Sequence, residues 1–160
     1  MARTPRSSLP DGFFHVTARA VHGARLFLDD EDFRSFLRLL TQTVDRHGWR
    51  VHAFCLMNTH YHLIVEATQP SLSAGQHRLN GHHARRFNKR HVRRGHLFAE
   101  RFSSWVIEGE DYLSAACLYV LHNPVRAGLC RYPDDWRWSG ARGDGEGPGG
   151  LPRTAPYVSS

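Results

Sequence analysis

Apolar and polar residues alternate along FFHVTARAV (residues 13–21), the period of a half-buried strand. One side carries Phe14, Val16, Ala18 and Ala20, and the other carries His15, Thr17 and Arg19. The period then lengthens to that of a helix. In DDEDFRSFLRLLTQTVDRHG, residues Phe33, Phe36, Leu37, Leu40 and Val44 share one face, acids crowd the first turn and Gly48 ends it. WRVHAFCLM reads as a second strand, Asn58-Thr59 as a tight turn, and HYHLIVEA as the hairpin partner. Residues 70–90 read as a helix weakened by Gly75 and Gly81, and HLFAERFSSWVI as a fourth strand. Glu110-Asp111 opens a last helix, DYLSAACLYVLH, which Asn123-Pro124 stops because a residue before proline avoids helical geometry. The order β-α-β-β-α-β plus one helix predicts an α+β fold with the ferredoxin-like split βαβ arrangement. Two helices would cover one face of an antiparallel sheet and leave the other open to a ligand. The expected layout is one domain over residues 12–139, an N-terminal tail over 1–11 and a disordered Gly/Pro-rich tail over 140–160.

Within HYHLIVEA the alternation puts Tyr61, Leu63, Val65 and Ala67 on one face and His60, His62, Ile64 and Glu66 on the other. Two imidazoles side by side are two corners of a metal site, or a solvated strand face in a chain with 12 histidines. The last helix has an apolar stripe of Leu113, Ala116, Cys117, Val120 and Leu121. Tyr119 projects roughly 130° from the centre of that stripe. Asn123 lies one turn further on the same side if the final turn stays helical.

Composition changes the picture in two places. Three cysteines (Cys55, Cys117, Cys130) without C-x-x-C spacing read as reduced thiols, and no apolar run is long enough to span a membrane. A cytoplasmic protein is expected. Charge is concentrated. Arg78, Arg85, Arg86, Lys89, Arg90, Arg93 and Arg94 lie between Glu66 and Glu100 with no acid among them, a larger charge than the whole chain's formal +6. A block of one sign is the footprint of a polyanion-binding surface, most often for nucleic acid. His15, Thr17 and Arg19 could approach DNA on the open sheet face.

LMNTHYHLIVEA followed at a distance by YVLHNPVRAGL resembles the single-tyrosine HUH transposases, specifically their REP-associated branch. FFHVTARAVHGARLFLDDEDFRSFLRLL, RRGHLFAERFSSWVI and DDWRWSGAR agree with it, so the likeness spans residues 12–142. It implies an endonuclease and strand-transferase acting on single-stranded or hairpin DNA through a 5′-phosphotyrosine intermediate. Carried over by motif, His60 and His62 would be metal ligands, Asn123 the third ligand and Tyr119 the nucleophile. The cofactor implied is Mg²⁺ or Mn²⁺, since two imidazoles and an amide suit a weakly held divalent cation better than structural zinc. Tyr61 and Tyr112 are alternative nucleophiles, Tyr61 disfavoured by its apolar face. The same residues leave open a nucleic-acid-binding module without catalysis, a domesticated inactive transposase, or a phosphoesterase using water. Monomer and homodimer both fit.

Overall fold

The first strand obeys its alternation residue by residue. In the computed structural model, which describes residues 11–142, β1 (Gly12–Arg19) buries Phe14, Val16 and Ala18 and leaves His15 and Thr17 half-buried. Helix α1 (Asp30–His47) starts where the Asp29 carboxylate accepts from the Asp32 amide, and Gly48 ends it at a left-handed φ of 67°. Phe33, Phe36, Leu37, Leu40 and Val44 are all buried, as the helical period requires. Strands β2 (Arg50–Leu56) and β3 (His60–Ala67) form the hairpin, with a bulge between Val51 and Ala53. Helix α2 (Gln69–Arg90) follows, then β4 (Ser103–Ile107), α3 (Glu110–Leu121), the short α4 (Asn123–Arg126) and β5 (Ser139–Ala141).

The sheet order is β4-β1-β3-β2-β5, with every neighbouring pair antiparallel. The first four strands and α1 and α2 make the split βαβ arrangement of an α+β fold. The main core lies between α1, α2 and the face of β3 that carries Tyr61, Leu63, Val65 and Ala67. Among the described residues, no helix is long and apolar enough to cross a membrane.

Three features differ from the sequence reading. The second sheet face is not fully open. Val120 of α3 packs on Ala53, Cys55, Met57 and Ile64 in a second, smaller core, with Leu113, Ala116 and Cys117 partly buried beside them. The fourth strand has five residues; the chain ahead of it makes only an isolated bridge between Phe98 and Ala20 and, earlier, a loop in which Arg93 donates to the carbonyls of Gly95 and His96. Gly140 and Ala141, expected in the disordered tail, pair as β5 with Phe54 and Ala53 of β2; residues 1–10 and 143–160 of the two tails lie outside the described residues. As expected, α2 runs as one helix through both glycines. Gly75 fits because a Cβ there would clash with the Trp49 indole, whose Nε1 donates to the Ser71 carbonyl at 3.0 Å.

Candidate functional site

Strand alternation turns His60 and His62 to the face opposite the main core, and β3 holds their rings 5.1 Å apart at 84°. The register sets Arg19 of β1 opposite His60 and Thr17 opposite His62. His15, two residues from Thr17 on the same face, is therefore diagonal to His62, within reach of a ring. Its Nε2 lies 2.9 Å from His62 Nδ1. On the other side of β1, His15 pairs with Trp105 of β4, the ring centroids 5.5 Å apart. Trp105, His15, His62 and His60 thus form a row of rings across three strands.

Helix α3 brings Tyr119 onto this row. Its ring centroid is 6.0 Å from that of His15 and 6.4 Å from that of His62. Because Val120 is the residue that enters the second core, Tyr119 is left on the flank, 52% exposed. The Arg126 guanidinium stacks over its ring at 4.0 Å, and Arg126 Nη2 donates to the Tyr119 carbonyl at 2.7 Å. Pro124 has no amide hydrogen, so α3 does not continue through it; the chain turns into α4 and carries Arg126 back over the tyrosine.

The histidines here are neutral imidazoles at pH 7. Burial pushes His62 down to about 3, with His15, His60, Arg19 and Arg126 adding repulsion. Burial also lowers His60, helped by Arg19, and lowers His15. His62 Nδ1 faces His15, and His60 Nδ1 lies 3.2 Å from Thr59 Oγ1. Each ring therefore has its Nδ1 engaged and its Nε2 available, the pattern of a metal-binding histidine. Among the described residues no group of three or more His, Cys, Asp or Glu side chains could hold a metal ion, so a third protein ligand has to be of another type. Asn123 fits that need chemically. Its Nδ2 is buried with no hydrogen-bond partner among the described residues. Two neutral imidazoles and an amide oxygen are donor types that a divalent cation would accept.

The alternative nucleophiles separate cleanly. Tyr61 is fully buried on the opposite face, donates to Asn80 Oδ1 and accepts from Gln76 Nε2 at 3.1 Å; burial pushes its phenol upward. Tyr112 is exposed in the first turn of α3.

The basic block is not at this centre. Arg78 and Arg85 line a cavity of about 380 Å³ between α1 and α2, together with Arg46, His47, His77 and His82. That cavity is on the helix side of the sheet, away from the histidine row. Lys89 and Arg94 are exposed, and Arg86 is 3.7 Å from Glu31. Arg90 is committed to the fold: Nη1 reaches Asp29 Oδ1 and Asp32 Oδ1 at 2.7 Å and Nη2 reaches Asp29 Oδ2 at 2.8 Å, clamping the end of α2 to the start of α1. Arg93 is engaged by Asn88 and the loop carbonyls. Arg19 and His15 do lie at the histidine face, His15 against His62.

Sequence reasoning missed Arg126, Arg46 and Trp105. Arg126 stands within NPVRAGL, but its return to Tyr119 depends on the break at Pro124 and not on a helical period. Arg46 sits among the basic residues of the last turn of α1, a position that helix dipoles favour without any ligand.

The family model described as Transposase IS200 like matches residues 14–123. The structure of a REP-associated tyrosine transposase bound to a REP hairpin aligns with a TM-score of 0.72 at 15% identity, over 87% of this chain and 82% of that one. A proposed transposase from Deinococcus radiodurans R1 aligns with a TM-score of 0.51 at 18% identity, over 74% of this chain and 95% of that one. No curated protein matches the sequence.

Proposed function

The chain belongs to the family of IS200-like transposases, and on that footing we propose that it is a metal-dependent single-tyrosine endonuclease and strand-transferase acting on single-stranded or hairpin DNA. The observation that carries this reading is the meeting of Tyr119 with His62 and His15 across the sheet face, from three separate segments of the chain.

Tyr119 is the nucleophile. Its phenol oxygen forms a bond to the scissile phosphorus, the bond from phosphorus to the 3′ oxygen breaks, and the phenolic proton is passed through water to the departing 3′ oxygen. A 5′-phosphotyrosine and a free 3′-hydroxyl result, and attack by a 3′-hydroxyl reverses the step. His60, His62 and Asn123 would hold a divalent cation, Mg²⁺ or Mn²⁺. When bound, that cation supplies charge neutralisation at a phosphate oxygen. Arg126 keeps the tyrosine ring in place and has further N–H donors to offer a phosphate oxygen beside it. Arg19, exposed opposite His60, offers the incoming strand a second cation at the same face. Arg78, Arg85, Arg86, Lys89 and Arg94 on the helix side would follow the backbone of DNA beyond the cleaved nucleotide. The solved relative bound to a REP hairpin supports hairpin DNA as the partner class.

Incubation with hairpin DNA carrying single-stranded flanks, in Mg²⁺ or Mn²⁺, should give a covalent protein–DNA adduct on denaturing gels. Tyr119→Phe should lose the adduct and keep its DNA affinity. Cleavage that persists in Tyr119→Phe would instead assign the reaction to water, and binding without cleavage under any divalent ion would leave a binding module.

A further inference from the structure

His62 can hold a cation through Nε2 only if that nitrogen carries a lone pair, which places the ring proton on Nδ1. Among the described residues, Nδ1 faces one partner, His15 Nε2 at 2.9 Å. The two nitrogens share one proton, so one donates and the other accepts. A proton on the His15 side would make His62 Nδ1 the acceptor and, in the neutral ring, put the His62 proton on Nε2, closing the metal position. A proton on the His62 side leaves Nε2 open.

We infer that His15 is a positioning residue that accepts a hydrogen bond from His62 Nδ1–H and so fixes His62 in the tautomer whose Nε2 lone pair binds a divalent cation. The inference rests on the reading that His60 and His62 hold that cation. Three features of the fold support it. His15 is on the strand that pairs with β3 along its whole length, so the diagonal His15–His62 geometry is set by backbone register and not by a mobile loop. Trp105 backs the His15 ring from the far side at 5.5 Å, so the imidazole is held between two neighbours. His60 has a comparable neighbour, Thr59 Oγ1 at 3.2 Å from its own Nδ1, a hydroxyl able to accept from that nitrogen. Both rings of the pair thus have Nδ1 occupied by a neighbour, as a metal-binding histidine requires of its second nitrogen. His15 does not touch the cation; it acts through His62.

The tautomer is measurable without metal. In metal-free protein, long-range ¹H–¹⁵N spectra of the imidazoles should show the His62 proton on Nδ1, and His15→Phe, which keeps a ring against Trp105, should release that preference. Mn²⁺ affinity by electron paramagnetic resonance should then fall about 10- to 100-fold in His15→Phe and recover in His15→Gln, whose amide oxygen replaces the acceptor. The cleavage rate of His15→Phe should return toward wild type at saturating Mn²⁺. A wild-type His62 with its proton on Nε2 overturns the inference alone. Equal losses in His15→Phe and His15→Gln overturn it too, because they make the imidazole a packing element. If the wild-type protein does not bind Mn²⁺ through His60 and His62, the metal reading itself fails.

Discussion

Arg126 covers one face of the Tyr119 ring at 4.0 Å and also donates to the carbonyl of the same residue at 2.7 Å. One side chain thus fixes both the ring and the backbone of the proposed nucleophile. The stacking is worth about 0.5–1 kcal/mol at an exposed site, and the charge-assisted hydrogen bond about 1.5–3 kcal/mol. Neither is needed to fold the sheet. Arg126→Ala should therefore keep the sheet folded at a lower thermal midpoint and slow adduct formation in single-turnover assays by about 10- to 100-fold, the usual consequence of a misplaced reacting group. Arg126→Lys keeps the charge but not the flat stacking surface, and should fall between the two. An Arg126→Ala variant as fast as wild type would remove Arg126 from the site.

Two neighbouring arginines of α2 should behave oppositely. Arg85 lines the basic cavity with Arg46 and Arg78, while Arg90 is held by Asp29 and Asp32. Arg85→Glu should weaken DNA binding, flatten its dependence on salt by about one phosphate contact, and leave stability unchanged. Arg90→Ala leaves Asp32, 3% exposed, with His91 as its remaining side-chain partner. It should lower the unfolding midpoint before it lowers affinity, as loss of one partner from a buried ion pair does. Titrations at several salt concentrations, paired with urea unfolding, separate these effects. The assignment fails if Arg85→Glu binds DNA as wild type does.

Gly75 makes a stability forecast. Alanine at this helical position would ordinarily stabilise by about 0.5–1 kcal/mol. Here the added methyl meets the Trp49 indole, itself anchored to the Ser71 carbonyl, so the sign reverses. Gly75→Ala should destabilise by about 1–3 kcal/mol, the range for overpacking, and the double variant Gly75→Ala/Trp49→Phe should recover part of it. A stabilised Gly75→Ala would show that the two elements separate at no cost.

The contrast between Gly75 and Gly48 shows what the sequence could carry. Gly48 acts locally, ending α1 with a left-handed φ, and its meaning is readable from the residues before it. Gly75 acts through a tryptophan 26 residues away, so it read as a weakness in α2 until the packing was visible. The same division runs through the rest of the fold. The faces of β1 and β3 follow from alternation and the burial of α1 from its period. β5 was missed because Ser-Gly-Ala has no strand pattern of its own and exists as a strand through pairing with β2. At the site, the motif spacing singled out His60, His62 and Tyr119, and the structure brings all three to one face. Arg126 escaped because a proline break, and no regular period, returns it to the tyrosine. The basic block was correctly seen as a block but not as a set with different partners, since Asp29 and Asp32 reach Arg90 from the start of α1.

His83 sets the response of the fold to acid. It is 1% exposed, its Nε2 donates to the Leu26 carbonyl at 2.8 Å, and the rings of Phe27, Phe36, Phe87 and Phe98 surround it. Burial pushes it down to about 4, against opposing pulls from the Leu26 carbonyl and Asp32. In the unfolded chain the imidazole takes up a proton near pH 6.5. Between those values the unfolded state binds more protons than the native one, so stability rises with pH there and falls on acidification. His62, also depressed by burial, to about 3, has the same sign. Asp29, held at about 2 chiefly by its hydrogen bond to Arg90, adds a further loss only below about pH 4. The urea midpoint should therefore be level above about pH 7 and decline between 6.5 and 4, His83 alone contributing on the order of 3 kcal/mol across its window. His83→Gln keeps a donor for Leu26 but cannot titrate. It should reduce the slope of stability against pH by up to one proton per molecule in that interval. An unchanged slope would mean that His83 is protonated in the native state and that the acid response of the fold arises elsewhere.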